Sequence, residues 1–132
     1  MDREMRVIRV GDTFLGFPSR SGQYHLTFVI AKYERPYEVP KLLVVNASTL
    51  QCDSERTCIL SPTDSDAHPW IRHDSYVCYC WMEVMTEEVI REHDRERPAS
   101  PALVKRIQQG ALLSTETPRQ YKPHLHRALA TP

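Results

Sequence analysis

Short apolar runs of strand length, each ended by glycine, proline or polar residues, fill the first two thirds of this chain. Such a pattern restricts the fold to something built mainly of short strands. Residues 7–17 are apolar, with Gly11-Asp12 and Gly16 as turn or bulge signals. In HLTFVIA (residues 25–31), Leu26, Phe28 and Ile30 alternate with His25, Thr27 and Val29. The second face is itself partly apolar, which suits a central strand. KLLVVN (residues 41–46) is apolar on both faces, and residues 57–61 and 76–85 supply two more strands. The intervening stretches, PSRSGQY (18–24), the proline-bearing 33–40 and the polar 46–56, read as loops. Five short strands with loops of unequal length predict a small, strongly bent barrel or sandwich. Closing such a sheet hides edges that would otherwise invite aggregation.

The last third changes character. Thr86 caps a predicted helix with Glu87 and Glu88 in its first turn, where carboxylates are favoured. REHDRER (91–97) alternates in charge and reads as a solvated helix face or loop. Ser100-Pro101 starts a second helix, with Leu103 and Ile107 on one face and Gly110 as its stop. Thr117-Pro118 opens a last helical stretch that Pro123 is expected to interrupt.

A chain of 132 residues is expected to form one domain, with strands over 1–85 and helices over 86–132. Lys plus Arg and Asp plus Glu number 17 each, so bulk charge announces no nucleic-acid partner, although a local basic patch remains open. The first ten residues, MDREMRVIRV, carry charges where a secretory signal needs an apolar core, and no run approaches a membrane span. The expected location is therefore cytoplasmic, with Cys52, Cys58, Cys78 and Cys80 reduced and serving mainly as small apolar side chains.

Chemically able side chains crowd residues 63–75: Thr63, Asp64, Asp66, His68, Arg72, His73, Asp74 and Ser75. Loops held by packed strands are where small β scaffolds carry function. Several segments, in order, resemble the MazF/PemK (Kid) family of toxin ribonucleases. Gly11-Asp12-Thr13-Phe14 resembles the start of that family's first strand, and residues 18–24 fall at its mobile loop. HLTFVIA resembles its second strand, ILSPTDSD the strand ending in an apolar-Pro-x-Thr turn, and HDSYVCYCWMEV the strand after it. Residues 103–129 resemble its terminal helices. The resemblance implies a mostly β, SH3-like barrel of about five strands with two or three short C-terminal helices. It further implies a metal-independent endoribonuclease, without cofactor, that cleaves single-stranded RNA as a homodimer inhibited by an antitoxin protein. The family's second strand opens with a catalytic Arg-Pro pair; His25 and Leu26 stand there in this chain, while Thr63 matches the threonine position.

RNA cleavage without metal needs a base for the 2′-hydroxyl, an acid for the leaving 5′-oxygen and donors for the charged phosphorane. Histidine suits the first two roles. His25, Thr63 and Asp64 therefore form the expected catalytic set, and Arg20, Tyr24, His68, Arg72, His73 and Ser75 the expected RNA-binding set. Trp70 and Tyr76 are further candidates for base stacking. Replacement of His25 or Thr63 is expected to abolish activity and spare the fold.

Each assignment has a plainer rival. Thr63-Asp64-Ser65-Asp66 is also a self-capping turn, and His68-Pro69-Trp70 a means of tucking a tryptophan under a loop. Arg72, His73 and Asp74 also read as a surface ion cluster. Cys78 and Cys80 on one strand face, with Cys52, Cys58, His68 and His73 nearby, offer zinc as a second chemistry, although Cys-x-Cys is not the usual knuckle. From a different functional class, a non-catalytic barrel could use residues 63–75 as a binding surface. Phosphate-cradling loops are excluded by the scarcity of glycine, four in all.

Overall fold

The computed structural model of the chain describes residues 7–16 and 23–131. The alternation in HLTFVIA and the apolar run KLLVVN become the two long central strands, β2 (His25–Tyr33) and β3 (Lys41–Thr49). Around them lie β1 (Thr13–Gly16), β4 (Ile59–Leu60), β5 (Ser75–Val77), β6 (Glu83–Thr86) and β7 (Arg95–Glu96). All pairings are antiparallel, in the order β4-β5-β3-β2-β1-β7, with β6 also on β3. Among the described residues no ladder joins β4 to β7, so the sheet is open. The helices are α1 (Glu87–Arg91), α2 (Pro101–Leu113) and α3 (Lys122–Ala130). No described helix is long and apolar enough to cross a membrane.

One edge of β3 is shared by two strands. Lys41 to Val44 pair with β6, and Ala47 to Thr49 pair with β5. The run expected to form one strand over residues 76–85 is therefore broken by a 3-10 turn, Tyr79–Trp81. The turn ends the simple alternation: Cys78 and Tyr79 are both buried, whereas Cys80 and Trp81 are exposed. A continuous apolar run conceals such a break because strand and buried turn look alike in pattern.

The two sheet faces differ. Leu26, Phe28, Ile30, Leu43, Val45 and Val77 face α2 and α3 and form the main core with Leu103, Ile107 and Leu125. The other face carries a smaller cluster of Ile8, Phe14, Val29, Leu42, Val44 and Ile90. A bulge between Val29 and Ala31 frees the Ile30 carbonyl, and the buried Gln108 amide donates to it at 2.7 Å. That bond explains a glutamine in the core, since an unmet buried carbonyl is costly.

Capping signals hold. Thr86 Oγ1 accepts from the Val89 N–H, and Ser100 Oγ from the Leu103 N–H, with Pro101 in the first turn of α2. Gly110 does not stop α2, which continues to Leu113 and is capped by Ser114. The glycine instead makes room for Tyr79, whose hydroxyl donates to the Ile107 carbonyl at 2.7 Å. Pro123 does not interrupt α3; it sits in the first turn, where no N–H is needed. The charged segment 91–97 supplies β7, whose Arg95 and Glu96 pair with Phe14 and Thr13. Gly11 takes a φ of +102°, open to glycine, and lies between the Val29 and Ala99 backbones.

Residues 61–66 are tied to α2 by Arg106. Its guanidinium donates to Asp66 Oδ2 at 3.0 Å and Oδ1 at 2.8 Å, to Asp64 at 3.1 Å and to the Ile59 carbonyl at 2.7 Å. The hydrogen bonds from Arg106 hold the Asp66 carboxyl below its ordinary range. A carboxylate whose folded pKa is depressed stabilises above its unfolded pKa, about 4, and that stability is lost as pH falls through the lower folded value. Urea midpoints measured from pH 6 to 3 should therefore fall less steeply in Asp66→Asn than in the wild type. Parallel acid limbs in the two proteins would remove Asp66 from the acid response.

Candidate functional site

The sheet face turned away from α2 and α3 opens into a groove of about 450 Å³. Its floor follows the two-residue period of the strands. Phe14 and Gly16 come from β1, His25 and Thr27 from β2, and Val44, Asn46 and Ser48 from β3. Register sets them side by side: Gly16 is opposite His25, Phe14 opposite Thr27, and Thr27 opposite Asn46. Tyr76, Cys78, Glu83 and Met85 extend the floor, while Trp81 and His93 complete its lining.

Two histidines line this groove, each with the same kind of backbone contact. His25 Nδ1 lies 3.0 Å from the Ala47 carbonyl oxygen, and His93 Nδ1 lies 3.0 Å from that of Val89. A carbonyl only accepts, so each Nδ1 carries a proton and each Nε2 is the nitrogen left to take or give one. Neither Nε2 has a partner among the described residues. The His93 ring also packs on Phe14, with centroids 5.1 Å apart.

Apart from the Glu83 carboxylate, the remaining polar groups are uncharged. Burial pushes the Tyr76 hydroxyl up to about 12 and the Cys78 thiol up to about 11. Tyr76 is therefore a neutral phenol at physiological pH, and Cys78 a protonated thiol unsuited to nucleophilic attack. The Asn46 amide and the Glu83 carboxylate make no side-chain hydrogen bond among the described residues. No lysine or arginine is among the described residues that line the groove, and Glu83 is the one carboxylate there.

The expected site residues divide. His25 and Tyr76 belong to the groove, and Tyr24, 57% exposed, directly precedes His25. Arg20 lies outside the described residues. Thr63 is exposed and bonded to Ser61 at 2.9 Å, and Asp64 accepts from the Ser61 N–H and from Arg106. No hydrogen bond joins either to His25 among the described residues. His68, not Trp70, is the residue tucked under the loop. It is 4% exposed, its Nδ1 accepts from the Trp70 N–H, and its Nε2 donates to the Arg97 carbonyl, so no ring nitrogen is left for a ligand. Ser75 is buried, its hydroxyl given to the His73 carbonyl. Arg72, His73 and Asp74 are exposed, and no ion pair links them among the described residues. The expected catalytic trio is thus distributed over two places, and residues 61–66 belong structurally to α2.

Asn46, Ser48, Trp81, Glu83 and His93 were not among the expected site residues. Asn46 and Ser48 had a usable signal: two polar residues spaced by two in an apolar strand mark one open face. His93 was masked by the charges around it. Among the described residues, no three of His, Cys, Asp and Glu gather into a metal-ligand cluster. Comparison with known proteins finds no matching family model, no matching curated protein and no matching solved structure.

Proposed function

We propose that the groove holds single-stranded RNA and that the protein cleaves it without a metal, as an endoribonuclease of the toxin type. The observation that carries this reading is the pair of histidines on one groove, each with Nδ1 tied to a backbone carbonyl and Nε2 free. One Nε2 takes the proton of a 2′-hydroxyl, and the other, protonated, gives its proton to the departing 5′-oxygen. The Ser48 and Tyr76 hydroxyls are donors suited to the charge that develops on the phosphorane. Trp81 and Tyr76 offer aromatic surface to unpaired bases. The order of elements similar to MazF/PemK toxins supports the same reading. With it come the finer proposals of an SH3-like barrel, a cytoplasmic homodimer and an inhibitory antitoxin. A β3 edge shared by β5 and β6 is the kind of bend a barrel wall requires.

A second reading, a non-catalytic binding module, is favoured by one feature: the groove is mostly apolar and has no described cation to meet phosphates. The same groove then serves a protein or peptide partner.

The experiment is incubation of purified, chelator-treated protein with a long single-stranded RNA, followed by mapping of new ends. The ribonuclease reading predicts discrete cuts bearing 2′,3′-cyclic phosphate. Intact RNA at high concentrations of folded protein transfers the assignment to the binding module.

A further inference from the structure

Resting on the ribonuclease reading, we infer that one end of the groove is a guanine subsite formed by Glu83, Asn46 and Trp81. Among the described residues the lining holds no lysine or arginine, so the end that carries Glu83 favours a neutral group over a phosphate. A nucleobase fits it better, being neutral, flat and edged with hydrogen-bonding groups. Glu83 is directly opposite Val44 across the β3–β6 ladder, and Asn46 is two residues along β3 on the same face. Diagonal neighbours of this kind stand about 7–8 Å apart, a span that accommodates the edge of one base.

The chemistry of the pair selects the base. A carboxylate only accepts, so Glu83 requires a base edge that offers donors. Guanine presents two adjacent donors, N1–H and the N2 amine, and a carboxylate accepts both at once. Its O6, next along that edge, takes a hydrogen bond from the Asn46 amide. Adenine and cytosine each offer one donor group beside an unprotonated ring nitrogen, which would face the carboxylate lone pairs. Uracil has one ring donor between two carbonyls. Trp81 is 55% exposed on the 3-10 turn that borders the same end, and its indole face is free to stack on the bound base. Neither side chain makes a hydrogen bond or ion pair among the described residues, although the Glu83 charge is felt by the Tyr121 hydroxyl, so base recognition breaks no existing hydrogen bond.

The test is binding, independent of cleavage. The full-length protein is titrated with uncleavable 2′-O-methyl oligouridylates carrying one central guanine, inosine, adenine or cytosine, followed by fluorescence anisotropy. The guanine oligomer should bind about tenfold or more tighter than the adenine one, the usual worth of a good bidentate contact. Inosine, which lacks the N2 amine, should fall between them. Glu83→Gln should erase the preference, and Asn46→Ala should reduce it. Trp81→Phe should keep the order with weaker overall binding. Equal binding of all oligomers by the wild type, or a guanine preference that survives in Glu83→Gln, overturns the subsite while leaving RNA cleavage a separate question. No binding of any oligomer overturns the subsite and, with intact RNA in the cleavage assay, the ribonuclease reading as well.

Discussion

Replacement of His25 by alanine is expected to slow RNA cleavage by about 10²- to 10⁴-fold, the usual contribution of a positioned proton-transfer group. His93→Ala should do the same. The double variant should be little slower than either single one, because base and acid act in one transition state and their losses do not add. Single-turnover rates on a defined RNA measure this, with thermal melts alongside to verify folding. Neither ring belongs to the main core, so the melts should change little. Thr63→Ala is the instructive control. Its hydroxyl bonds only Ser61, outside the groove, so cleavage should persist. If Thr63→Ala abolished cleavage while His93→Ala did not, the loop at residues 61–66 would regain the catalytic role and the two-histidine groove would lose it.

Gly110→Ala should be the most damaging small substitution in the helical region. In a solvent-exposed helix this change stabilises by up to about 1 kcal/mol, because alanine is the better helix former. Here the added methyl would overlap the Tyr79 hydroxyl and come within 3.1 Å of its ring carbon and 3.2 Å of Cys58 Cβ. Tyr79 cannot retreat easily, being fully buried and bonded to the Ile107 carbonyl. Overpacking of this kind costs about 1–3 kcal/mol, so the steric effect should win. A double-mutant cycle tests the cause. Tyr79→Phe removes the oxygen that the methyl meets and should recover part of the loss in denaturant midpoint. Strictly additive losses in the double variant would place the strain elsewhere.

The central sheet was readable because its signal is physical and local. The β2 pattern puts Leu26, Phe28 and Ile30 in the core and His25 and Thr27 on the open face, as alternation requires. Both serine and threonine caps were legible for the same reason, since their bonds reach only three residues. β7 was not legible. It is two charged residues long and contributes backbone pairing and an ion pair from Arg95 to Asp12, so apolar periodicity carries no trace of it. The candidate site suffered from a similar blindness. Residues 63–75 concentrate reactive side chains in sequence, yet Arg106, some forty positions later, binds Asp64 and Asp66 and gives that segment a structural task. The groove draws instead on residues from 14 to 93, and only strand register brings them together. His25 was found because it starts a recognisable strand; His93 required the fold.

The shared edge of β3 also has a temporal consequence. β2 and β3 are joined by only residues 34–40, and such local pairs close fastest. β6 and β5 must then find opposite ends of the same strand, and β1 must wait for β7, some eighty residues away, to complete its far side. The groove draws on β1, β2, β3, β5 and β6, and on His93 just ahead of β7. It should therefore be absent from any half-formed species, and a nascent chain would acquire its chemistry only at the close of folding, after the last strand has docked.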